Sequence, residues 1–241
     1  MKLHFGFDNR TFVLHIKKEE MSSENTISLQ ETLDSAKNAW EAKAPDQIKE
    51  IYAEGIADVV RQNLIATAKK NDDIAPEFAL TNATGKEVKL SDYLKKGPVV
   101  LTWYRGGWCP YCNMTLHYLQ EQLPAIQLKG ANLLALTPEL PDKSMSTAEK
   151  HQLQFEVLSD VGNKVAKDYG IVFKLTDDVA TSYQNGFDLH GYNGDESNEL
   201  PLAATYVIGQ DGTIVYTFLD AEYRNRAEAT EIFKALDSLQ Q

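Results

Sequence analysis

The sequence predicts an α/β fold in which a central mixed sheet is flanked by helices and preceded by an N-terminal helical extension. Three observations lead there. A strand–helix–strand pattern fits within residues 98–136, the length of a βαβ unit with a right-handed crossover. A hairpin and a closing amphipathic helix follow at 204–239. Two amphipathic helical segments lie ahead of both, at 28–43 and 46–69. The chain is 241 residues long and 43% hydrophobic, enough to bury a sizeable core.

The elements read as follows. In residues 1–20, Leu3, Phe5, Phe7, Phe12, Leu14 and Ile16 alternate weakly around Asp8-Asn9-Arg10. This is either an added hairpin or an upstream extension, with translation beginning at Met21. Ser28 and Glu31 form a capping-box signature, and Leu29, Leu33, Ala36 and Trp40 then share one helical face. Pro45 ends that helix. Ile48, Ile51, Tyr52, Ile56, Val59, Val60 and Leu64 mark a second. Residues 21–70 are thus a helical extension and 71–241 the main domain. Phe78–Leu80 and Val88–Leu90 make a short hairpin, and Ser91 is expected to cap a helical turn. Pro98–Tyr104 is a nearly continuous apolar run, as in a strand covered on both faces. A helix starts at Pro110, and Pro124 is expected to break or kink it. Strand 131–136, helix 144–152, strand 155–158 and helix 161–169 come next. Residues 175–200 read as a polar insert. Ala204–Ile208 and Thr213–Phe218 form a hairpin across Gly209–Gly212, and the last helix buries Ile232, Phe233, Leu236 and Leu239. A βαβ half followed by a ββα half is the thioredoxin-like arrangement.

Lys and Arg number 24 against 35 Asp and Glu, a net charge of −11, which argues against nucleic acid and anionic membranes as partners. No apolar run is long enough to span a bilayer or to serve as a signal peptide, so a cytoplasmic protein is expected. Two amphipathic helices exceed what one small sheet needs to cover it, which raises the expectation of a homodimer.

The two cysteines, Cys109 and Cys112, are three residues apart in Arg105-Gly106-Gly107-Trp108-Cys109-Pro110-Tyr111-Cys112. This segment lies where a buried strand meets a helix, the carboxyl end of a strand at which α/β sites collect. The glycines permit a sharp turn, and Pro110 suits the first helical position. Free N–H groups and the helix dipole there favour a thiolate. Spacing of three lets one sulfur attack and the other resolve. Two small buried hydrophobes are the bland alternative. A zinc site needs about four ligands, and His117 falls about 140° around the helix from Cys112. No metal or cofactor is implied. Arg105 is either a surface charge or a thiolate partner. Trp108 and Trp103 are packing residues first, and Trp108 also shields the pair. Thr102 completes the supporting set with Arg105, Trp108 and Pro110. His4, His15, His151 and His190 read as ordinary surface or loop residues.

From about residue 75 to 239 the chain resembles the AhpC/TSA, peroxiredoxin-like branch of the thioredoxin superfamily. The resemblance rests on Ala75-Pro76-Glu77-Phe78, Gly97–Leu101, Tyr104–Cys112, Ala204–Ile208 and Asp211-Gly212. Segment 28–70 also looks like the N-terminal extension of that branch. The resemblance implies peroxide reduction by a cysteine that becomes sulfenic acid and is recycled by thioredoxin or another small thiol. Two departures stand out. The family pattern P-x-x-x-T/S-x-x-C lays Arg105 on the Pro, Cys109 on the Thr and Cys112 on the peroxidatic Cys. A later family arginine falls on Ala203, where thioredoxins carry a cis-proline. The expected activity is therefore a thiol-dependent peroxidase acting on hydrogen peroxide or alkyl hydroperoxides. A thioredoxin-like protein disulfide reductase is the alternative, and a non-catalytic thioredoxin-fold binding module a third. Position at the helix terminus favours Cys109 as the attacking sulfur on disulfides. For peroxide, the family register points instead to Cys112, and the two stay open.

Overall fold

The computed structural model describes residues 28–82 and 84–240. The hairpin expected in residues 1–20 and the start at Met21 lie outside the described residues.

The first helix, α1 (Leu29–Glu41), carries the expected capping box, with the Ser28 hydroxyl accepting from the Glu31 N–H and the Glu31 carboxylate accepting from the Ser28 N–H. α2 (Asp46–Arg61) does not run on to residue 69. Asn63 takes the left-handed conformation (φ 53°), which a short polar side chain tolerates, and a separate turn, α3 (Leu64–Thr67), follows. Strands β1 (Ala79–Asn82) and β2 (Glu87–Lys89) pair as an antiparallel hairpin. The cap position of α4 (Leu90–Leu94) is Lys89, not Ser91, which lies inside the first turn with its N–H donating to the Glu77 carboxylate at 3.1 Å.

β3 (Val99–Trp103) is buried along its whole length and leads into α5 (Pro110–Leu128). Pro124 does not break this helix. It sits on the exposed face, while Leu116, Leu119, Leu123 and Ile126 anchor the opposite face in the core. β4 (Asn132–Thr137), α6 (Pro141–Lys150), β5 (Glu156–Ser159) and α7 (Lys164–Asp168) continue the alternation. β6 (Val172–Lys174) leads into the region expected to be a polar insert. That region instead folds into α8 (Asp177–Phe187), α9 (Leu189–Asn193) and β7 (Glu199–Pro201). Most of its polar residues face water, although Asn193 is buried, while Val179, Ala180, Tyr183 and Leu189 are buried in the main core. β8 (Thr205–Ile208), β9 (Ile214–Phe218) and α10 (Ala229–Ser238) complete the chain.

The seven-stranded sheet has the order β2-β1-β5-β4-β3-β8-β9, and β6 pairs with β7 apart from it. β3, β4 and β5 are parallel; β8 is antiparallel to β3, so the sheet is mixed as predicted. Strand alternation divides the core. Val99, Leu101 and Trp103 face one layer with α8, and Val100, Leu133 and Ala135 face the other with α1, α5 and α10.

The extension packs on its own domain. Leu29 and Leu33 enter the α5 layer, and Val59 enters the α8 layer. The apolar stripes of the extension are thus covered in part within one chain, with Val60 left 61% exposed. Among the described residues no helix is long and apolar enough to cross a membrane.

Candidate active site

Cys109 is the N-cap of α5 and Pro110 its first residue, so Cys112 falls in the first turn. The approach loop depends on its glycines. A Cβ on Gly106 would lie 2.2 Å from Trp108 Nε1, and one on Gly107 would lie 2.1 Å from Thr147 Oγ1. The Gly107 peptide is gripped on both sides: its N–H donates to Glu139 Oε1 at 2.9 Å, and its carbonyl accepts from Asn113 Nδ2 at 2.8 Å.

Both thiols are free and both are fully buried, at 0% exposure. The sequence led us to expect a more exposed Cys109. Tertiary packing of Tyr104, Tyr111, Trp108 and Tyr223 into the same cluster covers it instead. Trp108 stacks on Phe187 with ring centroids 4.2 Å apart, so the shielding tryptophan is held by the segment expected to be an insert.

Arg105 is not a surface charge. It is 4% exposed, with Nη2 3.6 Å from Cys109 Sγ and Nη1 donating to the Tyr183 hydroxyl at 3.2 Å. Its guanidinium lies 3.9 Å from the Tyr223 ring centroid and 5.0 Å from that of Trp108. Burial works against its charge, but Tyr183, the two cysteines and Tyr223 outweigh that and keep it protonated. Among the described residues no carboxylate pairs with it. Thr102 sits on β3 with its hydroxyl bonded to the Ala204 carbonyl (3.2 Å) and to Thr205 Oγ1 (3.0 Å). Its hydrogen bonds go to β8 rather than to either sulfur. His117 pairs with Glu121 at 3.5 Å, and His190 with Asn198 at 2.9 Å.

Three residues of the site were not foreseen. Arg226, from the loop before α10, places Nη2 3.5 Å from Cys112 Sγ. It supplies a guanidinium beside the pair, whereas the family arginine falls on Ala203 in this sequence. Tyr223 roofs Arg105. Glu139, just beyond β4, is fully buried beneath the Gly107 peptide. Only Glu139 left a local signal, a carboxylate at the carboxyl end of a central strand.

The two thiols are driven apart. Burial raises the Cys109 thiol, but the Cys112 thiol, Arg105, Arg226 and the Cys112 N–H together hold it well below the ordinary range. Burial and then the neighbouring Cys109 push Cys112 well above it. One thiolate beside one thiol is the arrangement of an attacking and a resolving sulfur. Beside them Trp40, Tyr52, Trp108, Tyr111, Tyr183 and Tyr223 line a cavity of about 380 Å³ that Arg105 also borders.

The AhpC/TSA family profile matches residues 72–217. Among relatives, "Peroxiredoxin Q, chloroplastic" of Sedum lineare is 26% identical over 180 residues, covering 75% of this chain and 84% of that one. "Thiol-disulfide oxidoreductase ResA" of Bacillus thuringiensis is 31% identical over 99 residues, covering 41% of this chain and 56% of that protein. A bcp relative in Buchnera aphidicola is 34% identical over 105 residues, or 44% of this chain and 66% of that one. The chain thus spans between about half and two thirds of the length of the last two. Peroxidoxin BcpB from Mycobacterium tuberculosis shares the fold, with a TM-score of 0.56 at 22% identity over 71% of this chain and 96% of that one. With that profile covering more than half of its length, and the cysteine pair lying inside it, the chain belongs to the AhpC/TSA family of the thioredoxin superfamily.

Proposed function

We propose that this protein is a thiol-dependent peroxidase in which Cys109 attacks the peroxide and Cys112 resolves the product. The carrying observation is the buried Arg105 guanidinium, 3.6 Å from Cys109 Sγ and without a carboxylate partner among the described residues. Such a group stabilises the thiolate before attack and the alkoxide or hydroxide that departs afterwards. Cys109 Sγ bonds to one peroxide oxygen, the O–O bond breaks, and the sulfenate condenses with Cys112. The burial of both sulfurs also favours a small substrate over a protein disulfide, since a two-oxygen group needs less access. Hydrogen peroxide or an alkyl hydroperoxide is the substrate class, and thioredoxin or another small thiol the reductant. The cytoplasm, a reducing compartment, is the place that keeps such a pair ready.

The second reading, a protein disulfide reductase, is favoured by one feature: the low-pKa sulfur caps a helix within a C-x-x-C pair. A peroxide-consumption assay beside an insulin-reduction assay separates them. Peroxide turnover well above that of free thiols supports the first. Insulin reduction without it transfers the assignment to the second.

A further inference from the structure

The pair is buried, and its chemistry requires a proton that its own sulfurs do not carry. Attack by the Cys109 thiolate and closure by the Cys112 thiol place only two protons, one from Cys112 and one from the hydroperoxide, among an alcohol and a water that need three. With both sulfurs at 0% exposure, bulk water is poorly placed to supply the third.

Glu139 is a buried carboxyl within one loop of the pair. Its Oε1 accepts from the Gly107 N–H at 2.9 Å, two residues ahead of Cys109. Its Oε2 is buried with no hydrogen-bond partner among the described residues, as is the Tyr104 hydroxyl. A carboxylate leaves such an oxygen poorly solvated, whereas a carboxylic acid carries a proton there to give. Tyr104 reaches the group from just beyond β3, Lys143 from α6 and Cys109 from the start of α5. Burial, helped by negative charge on Cys109, outweighs the Gly107 N–H, Tyr104 and Lys143 and lifts the Glu139 carboxyl to about 7. The acid is therefore favoured when Cys109 is a thiolate.

We propose that Glu139 is the proton store of the Cys109–Cys112 pair, held in place by the Gly107 N–H and reaching the pair by way of the Tyr104 hydroxyl. The step balances. A hydroperoxide, the Cys109 thiolate, the Cys112 thiol and the Glu139 acid become the Cys109–Cys112 disulfide, an alcohol, water and the Glu139 carboxylate. Two electrons pass from the sulfurs to the O–O bond. Two equivalents of a reducing thiol then return two electrons and two protons, one to Cys112 and one to Glu139. The peroxide half of this cycle rests on the peroxidase reading; the coupling of Glu139 to the pair does not.

The test uses the full chain as wild type, Glu139→Gln and Glu139→Asp. Gln keeps an oxygen for the Gly107 N–H and has no acidic proton. After one equivalent of hydrogen peroxide, disulfide closure in the wild type should slow as pH rises through about 7. Glu139→Gln should lose that inflection and close at least about tenfold more slowly below it, while Glu139→Asp should keep an inflection at a shifted pH. Closure in Glu139→Gln with the wild-type rate and pH profile overturns the proposal. A second arm omits peroxide. The midpoint potential of the pair, equilibrated with dithiothreitol across pH, should bend near 7 in the wild type and not in Glu139→Gln. Superimposable curves overturn the proposal even if peroxide turnover is present. A bend confined to the wild type supports it even if peroxide is not consumed. If Glu139→Gln does not fold, by far-ultraviolet circular dichroism, the decision falls on Glu139→Asp: a shifted bend supports the store, an unshifted one rejects it.

Discussion

Arg226 Nη2 lies 3.5 Å from Cys112 Sγ although 114 residues separate them. The helical extension helps to hold it there. Gln30 on α1 accepts from the Arg226 N–H at 3.3 Å and donates to Asn225 Oδ1 at 3.2 Å. Glu228 fixes the same junction by accepting from the N–H groups of Leu29 (3.3 Å) and Gln30 (2.8 Å) at the helix N-terminus.

Replacing Arg226 with Met should raise the pKa of the Cys109 thiol, because one of the two guanidinium charges that lower it is gone. Titration of thiolate absorbance in the ultraviolet reads this directly. Gln30→Ala should move the same titration in the same direction by less. An unchanged titration in Arg226→Met means that its charge does not act on the pair.

The single mutants identify the attacking sulfur. With one equivalent of peroxide and a sulfenic-acid trap, Cys112→Ser should be labelled at Cys109, the low-pKa thiol. Cys109→Ser should react no faster than a free thiol, since Cys112 is raised. Peptide mapping by mass spectrometry decides, and fast labelling of Cys112 would return the assignment to the family register.

Oxidation by diamide should give an intramolecular disulfide, since the chain has no third cysteine to act as resolver. Its potential is expected at about −180 to −270 mV, the range of thioredoxin-type pairs. Cross-linked dimers as the main product on a non-reducing gel would contradict this.

Glu139 should leave a trace in stability. Its carboxyl is lifted from the ordinary 4.5 to about 7 in the folded protein. Between those pH values the folded state keeps a proton that the unfolded state has lost, so stability falls as pH rises and levels off above 7. Across that interval the wild type should lose about 3 kcal/mol relative to Glu139→Gln. Urea unfolding of both proteins at several pH values measures it, and parallel curves would mean that Glu139 is not protonated in the fold.

Leu33→Ala should cost about 2–5 kcal/mol, the range for emptying a fully buried leucine site. Leu33 is 0% exposed in the layer that also holds the cysteines, although it belongs to the extension. A loss below 1 kcal/mol in denaturant unfolding (roughly the size of a surface substitution) would show α1 to be loosely docked.

The sequence by itself determined what acts over one or two turns or along one strand. Ser28 and Glu31 start α1, Pro110 starts α5 with Cys109 at its cap, and the apolar run at 99–103 becomes the central strand. Each follows from side chains bonding or packing against near neighbours, so periodicity and capping chemistry expose it. Only the tertiary structure decided what surrounds the sulfurs. Arg226, Tyr223 and Glu139 meet the pair because α10, β4 and the loop beyond β9 end at the same edge of the sheet as β3, and no local pattern encodes that meeting. The same holds for exposure. A cysteine at a helix terminus is open to solvent when only its own helix is considered. Here Trp108, held by Phe187, and the Arg105–Tyr223 contact close over it. Pro124 and residues 175–200 make the same point: most polar or helix-breaking residues face water, while the buried side chains beside them set the local structure.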